Sequence, residues 1–187
     1  MPSPDKDENK THLRTIRIPE SLERSLEKEA ADESTTVNAK INSILSRHYN
    51  WDKKIQEFGY AEIPKSLLMS MLEGLDDKTL ARIGREVIPT LWKDLAEFWS
   101  QGTSPESVIS FMGTRSKFNP GSQTRITQEE GVYTIVFHHE FGPKWSIMAK
   151  NAFQEYVGQT FHVEPRISMG ESTVTARFKV NPQDSPL

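Results

Sequence analysis

The side chains best equipped for chemistry gather at His138-His139-Glu140, with His162 further along the chain. Two imidazoles and a carboxylate suit zinc, nickel or iron. On an extended strand His138 and Glu140 project to one face and His139 to the other, so at most two adjacent members address one site. His162 adds a ligand only if its own strand is a neighbour. A strand-end histidine bonded to backbone, or packed against Trp145, needs fewer coincidences, and no metal ligand is assigned. The carboxylates Glu129 and Glu130 fall in a turn with Gly131, where neighbours splay apart and serve as surface charge. The chain has no cysteine, which excludes disulfides, thiolate nucleophiles and iron–sulfur clusters. It contains no Gly-x-Ser-x-Gly elbow, Gly-rich phosphate loop, His-Glu-x-x-His or dinucleotide fingerprint. The expectation is no catalytic residue, no cofactor and no enzyme.

A different chemistry lies near the amino terminus. In Leu13-Arg14-Thr15-Ile16-Arg17-Ile18, Ile16 and Ile18 fall on one side and Leu13, Thr15 and Arg17 on the other, the two-residue period of a strand that Pro19 ends. Leu22, Leu26 and Ala30 then recur every four residues and predict a helix from Glu20 to about Asp32. Val37, Ile41, Ile44, Leu45, His48 and Tyr49 predict a second helix, with Thr36 placed to cap it. One strand and two short helices cannot close a core alone. The economical solution is a second copy: two strands pair antiparallel about a two-fold axis over four helices, burying Ile16, Ile18, Leu22, Leu26, Val37, Ile41 and Ile44. The outer face then presents two copies of Leu13, Thr15 and Arg17. A two-stranded ribbon fits the major groove, where Arg donates two bonds to guanine and Thr meets base edges or the thymine methyl.

Charge argues mildly against nucleic acid, because the chain carries a formal net charge of −3 and residues 1–57 are themselves slightly acidic. Local distribution answers the objection. Lys10, Arg14 and Arg17 share one segment with no acid between Lys10 and Glu20.

Over residues 11–50, the stretches Leu13-Arg14-Thr15-Ile16-Arg17-Ile18-Pro19, Glu20-Ser21-Leu22 with Leu26 and Ala30, and Thr36-Val37-Asn38-Ala39-Lys40-Ile41 resemble the ribbon-helix-helix family of the Arc and MetJ repressors. The resemblance implies that Leu13, Thr15 and Arg17 occupy the groove-facing positions. Leu13 is apolar where a polar reader is usual, which rests specificity on Thr15 and Arg17. It also implies that the amides of Thr36, Val37 and Asn38 grip a phosphate at the helix start. Arg14 reads as a flanking phosphate contact.

The remainder predicts helices around Leu67–Leu75 and Leu80–Phe98, the latter kinked or divided at Pro89, and another from Ser104-Pro105. Asn119-Pro120-Gly121 is a turn, followed by strands Thr124–Thr127 and Val132–His139. A helix from Gly142-Pro143 to near Gly158 carries Trp145, Met148, Ala149, Ala152, Phe153, Tyr156 and Val157 on one stripe. Strands Val163–Ile167 and Thr173–Val180, joined by Met169-Gly170-Glu171, complete a sheet with one covering helix. His138 through Ser146 resembles a strand-to-helix junction of small-molecule sensing domains of the haem-nitric-oxide-binding and vinyl-reductase group, which implies a fold and no ligand.

The fold class expected is α+β: a disordered arm over 1–10, a ribbon-helix-helix swapped-strand dimer over 11–57, and over 58–187 a helical region followed by an antiparallel-sheet sensor or oligomerisation domain. No run spans a bilayer and the amino terminus has no apolar signal core, so a soluble cytoplasmic chain is expected. The partners expected are double-stranded DNA, a homodimer or higher even-numbered homo-oligomer, and a small-molecule effector. The alternative is an antitoxin-like or scaffold module that dimerises through the same segment and binds a protein.

Overall fold

The computed structural model describes residues 11–100, 102, 105–118 and 121–180. The expected arm over 1–10, the cap at Ser104 and the turn residues Asn119 and Pro120 lie outside them. The chain forms two compact units, Met1–Arg47 and His48–Leu187. The sequence expectation set the division after residue 57.

In the first unit the strand expected over Leu13–Ile18 is not formed in the single chain, where these residues have no neighbouring strand to pair with: residues 11–19 belong to no helix or strand. Pro19 precedes α1 (Glu20–Asp32), whose first turn carries Glu20 and Glu23 against the positive helix end. The helix ends as Ser34 turns left-handed at φ 53°, while the amides of Ser34 and Thr35 donate to the carbonyls of Ala31 and Ala30. A glycine is ordinary at such a position, and this sequence has serine. Thr36 then starts α2 (Val37–Arg47), its Oγ1 accepting the Ala39 amide at 3.1 Å. Lys40 of α2 reaches back to Glu29 at 3.1 Å and to Glu33, bracing the two helices.

The second unit opens with a π-turn, His48–Asp52, that buries Trp51, followed by α3 (Lys53–Phe58) and α4 (Lys65–Glu73). Asp76 caps α5 (Asp77–Glu86) by accepting the Thr79 amide at 2.8 Å. The helix predicted over Leu80–Phe98 is divided: Pro89 lacks a donor, and α6 (Ile88–Ser100) begins after a break at Val87. α7 (Pro105–Phe118) leads to β1 (Ser122–Glu129) and β2 (Val132–His139), joined by Glu130-Gly131, both with positive φ, a two-residue turn matched to strand twist. α8 (Gly142–Phe161) follows, then β3 (Arg166–Met169) and β4 (Thr173–Lys179).

The second unit is thus helical first and sheet-bearing later, an α+β arrangement with strand order β1-β2-β4-β3, antiparallel throughout. Ile135, Phe137, Val174, Ala176 and Phe178 point inward, where they meet Ala149, Phe153, Tyr156 and Val157 of α8. Three expectations need correction. β1 spans Ser122–Glu129 rather than Thr124–Thr127, and Glu129, expected in the turn, is its last residue and pairs with Val132, because the tight Glu130-Gly131 turn lets the ladder run to the strand ends. α8 runs past Gly158 to Phe161 and closes on His162 in a left-handed conformation. The strand expected over Val163–Ile167 instead begins at Arg166, because that helix end consumes the first residues and Pro165 cannot donate to a ladder. The connection to β4 accordingly starts at Gly170.

Candidate nucleic-acid interface

In the first unit Leu13, Arg14, Thr15 and Arg17 are all exposed, Leu13 by 92%. Among the described residues neither Arg14 nor Arg17 has a carboxylate partner, so both guanidiniums are available to an external anion. Thr36 and Asn38 are exposed and Val37 is half-buried at the start of α2. Thr36 spends its hydroxyl on the Ala39 amide, which leaves the earlier amides of that turn without an intrahelical acceptor. Lys40, close in sequence to that turn, is neutralised by Glu33 and Glu29; hydrogen bonds to these carboxylates, Glu33 first, raise its pKa.

The apolar residues of this unit are poorly covered. Leu26 and Ala30 are buried, but Ile16 is 58% exposed, Leu22 and Ile44 are 47% exposed and Leu45 is 51% exposed. Ile18, Val37 and Ile41 are half-buried.

The histidines of the second unit separate as strand alternation requires. His138 faces outward, its Nδ1 3.0 Å from the Thr173 hydroxyl, while His139 is buried beneath α8. The Phe141 amide donates to His139 Nδ1 at 3.3 Å, so the ring proton sits on Nε2 and is donated to Ser146 Oγ at 2.8 Å. Ser146 in turn donates to the Glu171 carbonyl at 3.2 Å. Burial, aided by the neighbouring His138, lowers the His139 pKa and keeps the ring neutral. Both ring nitrogens are therefore occupied. The polarity is opposite to nucleophile activation, since the histidine donates to the serine instead of taking its proton, and Ser146 is sealed from solvent. Glu140 is exposed and held by Lys65 at 2.7 Å, which lowers its pKa. His162 caps α8 and lies on no strand. Among the described residues, no three His, Asp or Glu side chains come together as metal ligands. Ser146 was not singled out in the sequence; its place on the α8 stripe one residue after Trp145 was the available signal.

Among the described residues, no helix is long and apolar enough to cross a membrane. No protein-family model matches the chain, and a search of curated proteins finds no match.

Proposed function

We propose that the chain is a dimeric, sequence-specific DNA-binding regulator, with residues 11–47 acting as a ribbon-helix-helix reader and the second unit as a sensor or assembly domain. The observation that carries this reading is the exposure of Ile16, Leu22, Ile44 and Leu45 in the single chain. Helices of 13 and 11 residues are marginal alone in water. Each large aliphatic side chain that becomes covered contributes about 1.5–3 kcal/mol, so a second copy supplies what the isolated unit lacks.

Pairing residues 13–18 with the same segment of a second copy turns Ile16 and Ile18 toward the helices and Leu13, Thr15 and Arg17 toward the groove. Arg17 reads a base, Thr15 contacts an adjacent edge or methyl, and Arg14 with the amides of Thr36, Val37 and Asn38 contacts phosphates. Two-fold symmetry makes the DNA site a pair of half-sites. The acidic α1 surface limits non-specific attraction, so affinity depends on these few contacts.

Selection of bound duplexes from a random-sequence pool by the full chain tests the reading. Enrichment of a two-fold-related motif supports it, and a pool that stays random removes it. The antitoxin-like alternative is favoured by Leu13, an almost fully exposed leucine that suits an apolar protein partner as well as a thymine methyl.

A further inference from the structure

The face of the sheet turned away from α8 has an unusual charge arrangement. Register places Thr127, Thr134, Arg177 and Arg166 in one row across all four strands. Arg166 and Arg177 are therefore directly opposite on neighbouring strands, and both are exposed. Side chains so placed share a face with Cβ atoms about 5 Å apart, where like charges destabilise the sheet. Lys179 lies on the same face one alternation beyond Arg177. Among the described residues none of these three cations has a carboxylate partner. In a chain with more acids than bases, these three cations together with Arg125, exposed on the same face of β1, are a concentration that folding does not explain.

The same face has a depression of about 670 Å³, floored by Val132 and lined by Thr127, Thr134, Arg177, Lys179, Glu129 and Glu130, within the size range of small-molecule sites; Arg166 stands outside this lining, opposite Arg177 at its edge. Two adjacent guanidinium forks suit a tetrahedral dianion, which offers enough oxygens for both. The hydroxyls of Thr127 and Thr134 continue the row as neutral donors and acceptors. Glu129 and Glu130 would repel a polyanion running across the face, but accept hydroxyl or amino groups of a compact ligand. Tyr133, Phe137 and Phe178 all turn to the opposite side, so the face has no ring of that kind on which bases could stack.

We propose that this face binds a compact organic phosphate. The phosphoryl group lies over Arg166 and Arg177 with Lys179 beside it, and the organic part rests on Thr127 and Thr134 with its hydroxyl or amino groups toward Glu129 and Glu130. The inference does not rest on the DNA-binding reading, because its residues all belong to the second unit and pyrophosphate binding is measured before any DNA is added.

The test uses inorganic pyrophosphate as probe, titrated into the full chain by calorimetry at constant ionic strength, with sulfate as the comparison. Wild type binds pyrophosphate more tightly than sulfate, Arg177→Gln and Arg166→Gln each weaken binding by about tenfold or more, and Lys78→Gln on α5 leaves it unchanged. Without ligand, both arginine variants melt at or above the wild-type temperature, since each relieves the opposed charges. Three outcomes overturn the proposal: no pyrophosphate binding, equal losses in Lys78→Gln and Arg177→Gln, or ligand-free melting temperatures that fall in both arginine variants. Displacement of pyrophosphate by random-sequence duplex DNA also overturns it, in favour of a nucleic-acid track.

Discussion

The His139 ring meets the Ser146 hydroxyl at 2.8 Å, and the direction of that bond is set by the Phe141 amide on the far side of the ring. The chain Phe141, His139, Ser146, Glu171 joins the end of β2, the first turn of α8 and the β3–β4 connection through donors and acceptors that are all used. Its chemistry is structural, and it requires a neutral imidazole.

Replacing Ser146 with Ala leaves the His139 Nε2 proton and the Glu171 carbonyl without their partner, at a cost of about 1–3 kcal/mol. Urea unfolding of the two proteins measures it. Stability is also pH-dependent: burial lowers the folded-state pKa of His139 below its ordinary value of 6.5, so below that pH the unfolded chain takes up a proton the folded chain refuses. Stability therefore declines as pH falls from about 6.5 toward the folded pKa, and the His139→Gln variant shows a smaller decline over that range.

At Gly84, a Cβ would lie 2.4 Å from the Met148 carbonyl oxygen and 2.9 Å from Asn151 Cβ, so the backbones of α5 and α8 approach closely there. Gly84→Ala forces them apart and costs about 1–3 kcal/mol. A Cβ added at Gly113 in α7 would meet nothing within 4 Å, and Gly113→Ala stabilises by about 0.5–1 kcal/mol. Opposite signs in thermal melting are the expected result.

Ser34 occupies a left-handed conformation at φ 53°. Ser34→Gly relieves a strain of about 1 kcal/mol while the glycine loses more freedom on folding, which returns part of that gain. The net is a small increase in melting temperature; a decrease would show that the serine side chain compensates the backbone.

Ile16→Asp puts a carboxylate into the apolar seam of the paired ribbons, where a buried charge without a partner is costly. Sedimentation of the full-length variant should report monomer under conditions in which the wild type is dimeric. A wild type that is monomeric at micromolar concentration contradicts the ribbon pairing.

Arg17→Ala should weaken binding to the selected duplex by about 1–3 kcal/mol, the value of a bidentate base contact, without changing the melting temperature. Arg14→Ala should instead weaken selected and random duplexes alike and lower the salt dependence, as the loss of one phosphate contact does. Titrations at two salt concentrations separate the roles.

Local rules were enough to read α1, the Thr36 cap, the division near Pro89, the span of β2 and the buried stripe of α8, because each follows from periodicity or from the backbone needs of one residue. That His138 and His139 take opposite faces was legible for the same reason, but which of them faces inward was not. The start of β3 was not, since helix α8 continues until His162 turns left-handed and periodicity does not say where a helix stops when apolar residues follow it. Nor could spacing show that Ser146 completes His139, or that Arg166 stands opposite Arg177. Partners on different strands are set by register, which depends on which faces α8 covers and on the turns that join the strands, and these are properties of the assembled sheet.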